Sequence, residues 1–479
     1  MHWLVLDRES SSSMGQQLYR QFRHAIVDQR LAEGERLPSS RELARELGVS
    51  RNLVVEVYEQ LVAEGYLVSR VGSGTRVSRG ASYRVEPRKI PRGQVAHGNQ
   101  AEDGIIDFRT GVPLLEKVPR NLLWEAFRHS IRNCGARDFG YGKPNGTKAL
   151  RVEIARFLLR SRDIDCDPER LVVTNGAAEA LFLAAQAVRK DRFLTLVTED
   201  PVHFHFQQTF RLAGALLEPV GVDSQGLKTA DLPEAIEPEG IFVTPSHQFP
   251  MGGVMTIQRR IELLEYARAK SATVIEDDYE SEFRFEGSPV SSLRELAPGR
   301  VIYVGSFSKI LAPCLRVGYA IVPDPLIETF SRLKYDVSNH VSGIAQEALA
   351  CLLGSGKLER HIAEMKRAYR GNRETLLRAL AESFGEECEV VCRSSGLHLV
   401  ARFPGRVFDE GCLGELEMRG VRLYPVETHA IRKGRYVDSL VLGYGNLSPR
   451  EIELGIKRLR AVIDRRGRPD TQRPAPLGK

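Results

Sequence analysis

The sequence predicts a multidomain chain: a small α+β unit at the N-terminus, a larger α/β unit on a largely parallel sheet, and a smaller C-terminal α+β unit. Three observations carry this. Residues 1–79 are rich in Arg, Glu and Leu at helical spacing and close on a short glycine-containing hairpin. Residues 80–104, GASYRVEPRKIPRGQVAHGNQAEDG, hold two prolines, mixed charge and few large apolar side chains, so they cannot bury a core and read as a linker. From Ile105 to residue 465, short apolar runs alternate with helix-like stretches, the pattern of an α/β domain.

At 479 residues the chain exceeds one compact core, and roughly 150 residues per domain suggests two or three units. Its 42% hydrophobic and 27% charged residues are ordinary for a globular protein and argue against wholesale disorder. A net charge of +6 is only mildly basic, so any case for nucleic acid must rest on local features. The apolar run Met1 to Leu6 is cut short by Asp7, Arg8 and Glu9, and no segment approaches the roughly 18 apolar residues of a membrane-spanning helix. A cytoplasmic protein without a membrane partner is expected. The seven cysteines are scattered without a C-x-x-C pair, so neither a disulfide framework nor a metal site is expected.

In the N-terminal unit, Leu18 to Gln29 has the pattern of an amphipathic helix. Pro38-Ser39-Ser40 introduces a second helix, RELAREL, stopped by Gly48, and Ser50 is a good N-cap for a third, RNLVVEVYEQLVAEG. Two short helices joined by a glycine-containing turn make a helix-turn-helix. The first turn of the second carries Ser50, Arg51 and Asn52, where a recognition helix presents side chains to base edges. The runs 66–69 and 75–78 bracket Val71-Gly72-Ser73-Gly74, a hairpin whose glycines permit close approach to phosphate, which is a wing.

In the larger unit, strand-like runs begin near residues 171, 193, 241, 273 and 301, and a large part spans about 105–325. After Asp324 the pattern turns helical to Ala381, with strands near Glu389 and His398 and a last helix from Pro449 to Arg465, giving a small part over about 326–465. Residues 466–479 form a basic, proline-rich tail expected to be disordered. The decisive stretch is SFSKILAPCLRVGY at 306–319. It places Ser306, Ser308 and Lys309 beyond a strand's carboxyl end, where α/β sheets bind ligands. A lysine there, once buried, is a nucleophile suited to a Schiff base with pyridoxal phosphate. Arg316 can pair with a phosphate. Asp277, at the end of TVIED, is placed to face a pyridine nitrogen, and Tyr279 to hydrogen-bond a ring oxygen. Thr174 to Ala180 joins a strand to a helix N-terminus that suits phosphate.

The order Leu37-Pro38-Ser39-Ser40-Arg41, Gly48-Val49-Ser50-Arg51, Glu64-Gly65-Tyr66 and the glycine wing closely resembles the GntR family of bacterial regulators. The stretch from Ile105 to Val462 resembles a fold-type I aminotransferase, and the combination resembles the MocR family of transcription regulators. The resemblance implies that Arg41 and Arg51 are the principal contacts to a double-stranded DNA operator, supported by Ser50, Asn52, Arg70, Gly72, Ser73 and Gly74. It implies pyridoxal phosphate as cofactor, with Lys309 as the Schiff-base lysine, Asp277 as the pyridinium partner and Tyr279 as the ring-oxygen donor. Ser306, Ser308, Arg316, Ala177 and Ala178 then surround the phosphate. Tyr141, in YGKPNG, matches a tyrosine that aminotransferases send to the partner subunit's phosphate, which implies a head-to-tail homodimer.

Three departures bear on function. Phe249-Pro250-Met251-Gly252 stands where aminotransferases read Asn-Pro-Thr-Gly, so the asparagine that contacts the ring oxygen is missing. Pro201 is followed by Val202 and His203 in place of Gly-Tyr, making His203 the candidate for stacking on the ring. No arginine stands near Val441 to grip a substrate carboxylate; YPVETHAI offers Thr428 and His429, with Arg422, Arg432 and Arg435 nearby. The expected function is a regulator sensing an amine or amino acid, or pyridoxal phosphate itself, through Lys309. The alternatives are an active aminotransferase with a DNA-binding appendage and a cofactor-free dimerisation scaffold.

Overall fold

The computed structural model describes residues 3–8, 10, 12–70, 73–81, 104–285, 291–391 and 396–466. The chain forms two compact units, Met1–Gln100 and Ala101–Lys479. The sequence-predicted linker from residue 82 to 103 and the tail from residue 467 lie outside the described residues.

In the first unit, α1 (Met14–Val27), α2 (Ser40–Leu47) and α3 (Arg51–Ala63) precede β1 (Leu67–Arg70) and β2 (Gly74–Val77). The caps read from the sequence form. Ser39 makes a reciprocal capping box with Glu42, Gly48 ends α2 in the left-handed region at φ 63°, and the Ser50 hydroxyl accepts from Leu53 N. Leu18, Phe22, Leu43, Val54, Leu61, Leu67 and Val77 share one core, and Tyr58 donates from α3 to the Pro38 carbonyl at 3.0 Å. β1 and β2 pair antiparallel from Leu67 opposite Val77 to Arg70 opposite Gly74. The sequence pattern did not disclose a third edge: Leu37 N donates to Thr75 O, and Gly34 N to Val77 O, so residues 34–37 pair with β2.

The second unit opens on β3 (Ile106–Asp107), α4 (Arg120–Asn133), α5 (Lys148–Arg162), β4 (Leu171–Thr174) and α6 (Ala177–Val188). There follow β5 (Leu194–Asp200), α7 (Phe204–Leu212), β6 (Ala215–Asp223), β7 (Gly226–Leu227), β8 (Gly240–Val243), α8 (Ile257–Ala269) and β9 (Thr273–Asp278). Then come α9 (Leu293–Leu296), β10 (Val301–Ser306), β11 (Gly318–Ile321), α10 (Asp324–Ser338), α11 (Gly343–Gly354) and α12 (Lys357–Phe384). The C-terminal part adds β12 (Glu389–Val390), β13 (His398–Arg402), α13 (Glu410–Met418), β14 (Val421–Arg422), β15 (Tyr424–Pro425), β16 (Ser439–Gly443) and α14 (Pro449–Arg466).

The large sheet runs β4-β11-β10-β9-β8-β5-β6-β7. β10, β9, β8, β5 and β6 are parallel, whereas β11 is antiparallel to both β10 and β4. The sheet is therefore mixed at one side, because the loop after β10 returns directly as β11 rather than through a crossover helix. Alternate residues of the central strands fill two cores: Ile275, Ile302 and Val304 pack with α6, while Val274, Ile241 and Val243 pack with α8. The carboxyl ends of β4, β5, β8, β9 and β10 thus share one edge, and the loops there build the site.

The entry segment departs from its expected place in the large part. β3 pairs parallel with β14, and Phe108 N donates to Arg422 O while Gly443 N donates to Phe108 O. Packing decides this. Ile106 and Phe108 fill the core beneath α14, where a Cβ on Gly455 would lie 2.4 Å from the Phe108 ring.

Candidate functional site

At the edge where the strands end, a cavity of about 230 Å³ is lined by Lys309, Asp277, Tyr279, Ser306, Ser308, Arg316, Ala177, Ala178 and His203. Nine of the ten sequence-predicted cofactor residues therefore converge. The tenth, Tyr141, is 89% exposed and sets its ring edge-on to His340. The same cavity is lined by residues that sequence reasoning missed: Thr110, Gly111, Phe206, Phe242, Thr244 and Glu280.

Each side chain is placed by its element. Asp277 and Ile275 share one face of β9 because side chains alternate along a strand, so Asp277 faces the α6 side, toward the cavity. Lys309 lies in the loop between β10 and β11, and its Nζ donates to the Gly111 carbonyl. Gly111 adopts φ 73°, and a Cβ there would lie 2.7 Å from that Nζ, so the lysine end occupies the space a side chain would need. At the other end, Gly176 at φ 86° precedes α6, and its missing Cβ would sit 2.9 Å from an Arg316 guanidinium nitrogen. Arg316 itself, at φ 51°, donates to Asn175 O at 2.9 Å, while Ser308 N donates to Ser306 Oγ at 3.2 Å. A helix start, two serines and an arginine at a glycine-made gap form a cradle suited to a phosphate.

The electrostatics are unusual for an interior. Both Asp277 carboxylate oxygens are buried without a hydrogen-bond partner. Burial, with Asp278 nearby, pushes its carboxyl up to about 8. Burial likewise pulls the Lys309 ammonium below its ordinary value, only partly countered by Glu280 and Asp277. A buried acceptor left unsatisfied costs about 1–3 kcal/mol, so this geometry fits a ligand that brings an N–H or N⁺–H to Asp277. The residues present therefore fit pyridoxal phosphate.

The wall opposite is aromatic. The His203 ring lies 4.9 Å from Phe249, 5.1 Å from Phe206 and 5.4 Å from His429. Burial holds His203 well below its ordinary pKa and lowers His429 to about 4, so both are neutral near pH 7. His429 stands behind His203 and Phe249 and accepts from Phe204 N, while Thr428 is exposed. Arg422 pairs with Glu417 and Asp107, Arg432 pairs with Glu218, and neither they nor Arg435 lines the cavity.

In the first unit, Arg41, Ser50, Arg51 and Asn52 are all exposed at the N-terminal ends of α2 and α3. Arg70 and Ser73 are exposed on the wing, and Gly72 lies outside the described residues. Gly74 has a reason of its own: at φ 78° its missing Cβ would lie 3.0 Å from the Arg36 guanidinium.

Comparison with known proteins accords with both halves. The family model for bacterial regulatory proteins of the gntR family matches residues 14–77, and that for aminotransferase class I and II matches residues 103–408. The chain is 32% identical over 474 residues to the probable rhizopine catabolism regulatory protein MocR of Rhizobium meliloti, covering 96% of each. It is 33% identical over 397 residues to the HTH-type pyridoxine biosynthesis transcriptional regulator PdxR of Corynebacterium glutamicum, covering 83% of this chain and 85% of that one. Among solved structures, the α-aminoadipate aminotransferase LysN of Thermus thermophilus, complexed with N-(5'-phosphopyridoxyl)-L-leucine, superposes with a TM-score of 0.69 at 27% identity. The match spans 76% of this chain and 92% of LysN. Among the described residues no helix is long and apolar enough to cross a membrane. The chain belongs to the MocR family of transcription regulators, in which a DNA-binding GntR-type winged helix-turn-helix is joined to an aminotransferase class I and II domain, a fold whose members use pyridoxal phosphate.

Proposed function

We propose that the second unit holds pyridoxal phosphate on Lys309 and that an amine or amino acid competing for that linkage changes how the first unit meets its operator. The observation that carries this reading is the unpartnered, buried Asp277 carboxylate in the same cavity as Lys309. The cofactor supplies an electrophilic carbon and an electron-withdrawing ring. Asp277 holds the ring nitrogen's proton, Tyr279 donates to the ring oxygen, His203 stacks on the ring, and Arg316, Ser306, Ser308 and the start of α6 bind the phosphate. For the signal to reach DNA, the effector must favour one state of the second unit by a few kcal/mol. The regulator is a homodimer in this reading. Exposed Trp124 and Ile131, seven residues apart on α4, with Phe139 and Tyr141, supply an apolar face for it. Titration of operator DNA with cofactor-loaded protein, with and without added amines, tests the reading. An amine-dependent change in affinity supports it; unchanged affinity with steady conversion of cofactor to its pyridoxamine form would make the protein an aminotransferase instead.

The DNA end follows from Arg41 and Arg51 at the exposed starts of α2 and α3. Arg51→Ala is expected to weaken specific binding by about 1–3 kcal/mol if Arg51 reads a guanine edge, and all sequences alike if it holds a phosphate. Fluorescence anisotropy on operator and scrambled DNA separates the two, and unchanged affinity for both would place recognition elsewhere.

GABA is expected not to be the effector. An ω-amino carboxylate leaves its anionic end away from the ring, where desolvation costs several kcal/mol unless a cation meets it. The neutral His203 on the wall does not supply one, His429 behind it is neutral too, and Arg422, Arg432 and Arg435 lie off the cavity; His205, expected to be buried, lines the cavity but is exposed, and is the one lining imidazole that an anionic end could meet. A saturable spectral change of the loaded protein at low-millimolar GABA, absent in Lys309→Ala, would contradict this.

A further inference from the structure

Beside the cavity, three side chains converge from distant parts of the chain: His247 before the Phe249-Pro250 step, Glu280 just after β9, and His398 at the start of β13. All three are buried. Glu280 also lines the cavity, directly after Tyr279.

The contacts have an order. The Tyr279 hydroxyl lies 3.1 Å from His247 Nδ1, with the two rings stacked at 6.0 Å and 23°. The same Nδ1 lies 3.7 Å from Glu280 Oε2. That oxygen accepts from Leu397 N at 2.8 Å, and His398 Nδ1 approaches it to 4.0 Å while His398 Nε2 meets the Pro250 carbonyl at 3.0 Å. Room for the cluster is made by Gly396 at φ 85°: a Cβ there would fall 2.1 Å from His247 and 2.6 Å from the Glu280 carboxylate. Burial by itself would raise the Glu280 carboxyl, but its neighbours His247, His398 and Lys309 together outweigh it and hold Glu280 below its ordinary value.

At 3.7 Å Glu280 Oε2 is too far from Nδ1 to accept its hydrogen, but its negative charge there favours Nδ1 as N–H over a lone pair and leaves that hydrogen for the Tyr279 oxygen at 3.1 Å. We propose that Glu280 is a positioning residue that fixes the Nδ1–H tautomer of His247, so that His247 donates to the Tyr279 oxygen and turns the Tyr279 hydrogen toward the cofactor's ring oxygen. No proton changes owner in this step; one donor orients another. It rests on the reading that the cavity holds pyridoxal phosphate, and it supplies an orienting partner where the aminotransferase asparagine is replaced by Phe249. Because Leu397 and His398 sit at β13, the relay also ties that strand to the cofactor ring.

The full-length protein tests it in two ways. Glu280→Gln, which keeps shape but removes charge, should weaken pyridoxal phosphate binding about tenfold and shift the visible band, because the buried negative charge that favours Nδ1–H is gone. The same substitution made in Tyr279→Phe should change affinity less than about twofold, because its route to the cofactor is gone. In cofactor-free protein labelled with ¹⁵N-histidine, His247 should carry its proton on Nδ1 and move it to Nε2 in Glu280→Gln. An equal loss in the Tyr279→Phe background would overturn the proposal, as would an Nε2–H His247 in the wild type. So would a stoichiometric transition metal on the three residues, since a metal on Nδ1 leaves no N–H to donate. Failure of the wild type to bind pyridoxal phosphate would overturn the cofactor reading instead, while the tautomer still decides the relay.

Discussion

Lys309→Ala is expected to abolish the visible band of the cofactor-loaded protein and every response of DNA binding to amines, while leaving operator binding detectable. In the proposed reading the lysine, on the loop between β10 and β11, is the nucleophile, and its Nζ end sits against Gly111, whose missing side chain makes the space. Removing it takes away the covalent link but not Asp277, Tyr279 or the phosphate cradle, so cofactor can still bind reversibly and more weakly. The first unit has its own core and caps, which the substitution does not touch. Absorbance and anisotropy on the same preparation read both outcomes. A cofactor adduct that survives borohydride reduction in Lys309→Ala would put the linkage on another residue.

The largest expected effect on stability lies behind the sheet. Arg162, the last residue of α5, pairs with Asp278 at the end of β9, both side chains about 5% exposed or less. Tyr303 donates a second hydrogen bond to the same carboxylate, and Ser281 a third. Burial works against the Arg162 charge, but Asp278 outweighs it and holds the guanidinium above its ordinary value. Arg162→Ala leaves that carboxylate buried without its cation, a loss of about 3–5 kcal/mol, whereas replacing both partners can be far milder. Urea unfolding of the full-length protein should show a lowered midpoint for the second unit only, partly restored by adding Asp278→Asn. A loss below about 1 kcal/mol would mean that water or rearrangement reaches Asp278 readily.

What could be read from the sequence was whatever is local. The caps Ser39, Gly48 and Ser50 each act within four residues, so the helices of the first unit were legible, though α1 begins at Met14 rather than Leu18. Asp277 ended the strand-like run TVIED, and Ser306 to Arg316 followed the end of another, so most of the cavity lining was foreseeable. Non-local pairing was not. Two residues of β3 join β14 more than 300 positions away, and β11 inserts antiparallel, which hydrophobic runs do not encode. The His247, Glu280 and His398 cluster was invisible for the same reason: three ordinary polar residues on separate segments, with only the fold to bring them together. Tyr141 shows the converse. Its resemblance-based role points to a partner subunit, and on one protomer it stands exposed.

The central claim is that Lys309 carries pyridoxal phosphate in this regulator, and borohydride trapping followed by peptide mass mapping tests it most directly. Full-length protein incubated with pyridoxal phosphate and reduced should carry one phosphopyridoxyl group per chain, on the peptide containing Ser306 to Arg316 and specifically on Lys309, with Asp277→Ala lowering the yield. No adduct at saturating cofactor, or an adduct spread over surface lysines with Lys309 unmodified, would contradict the account.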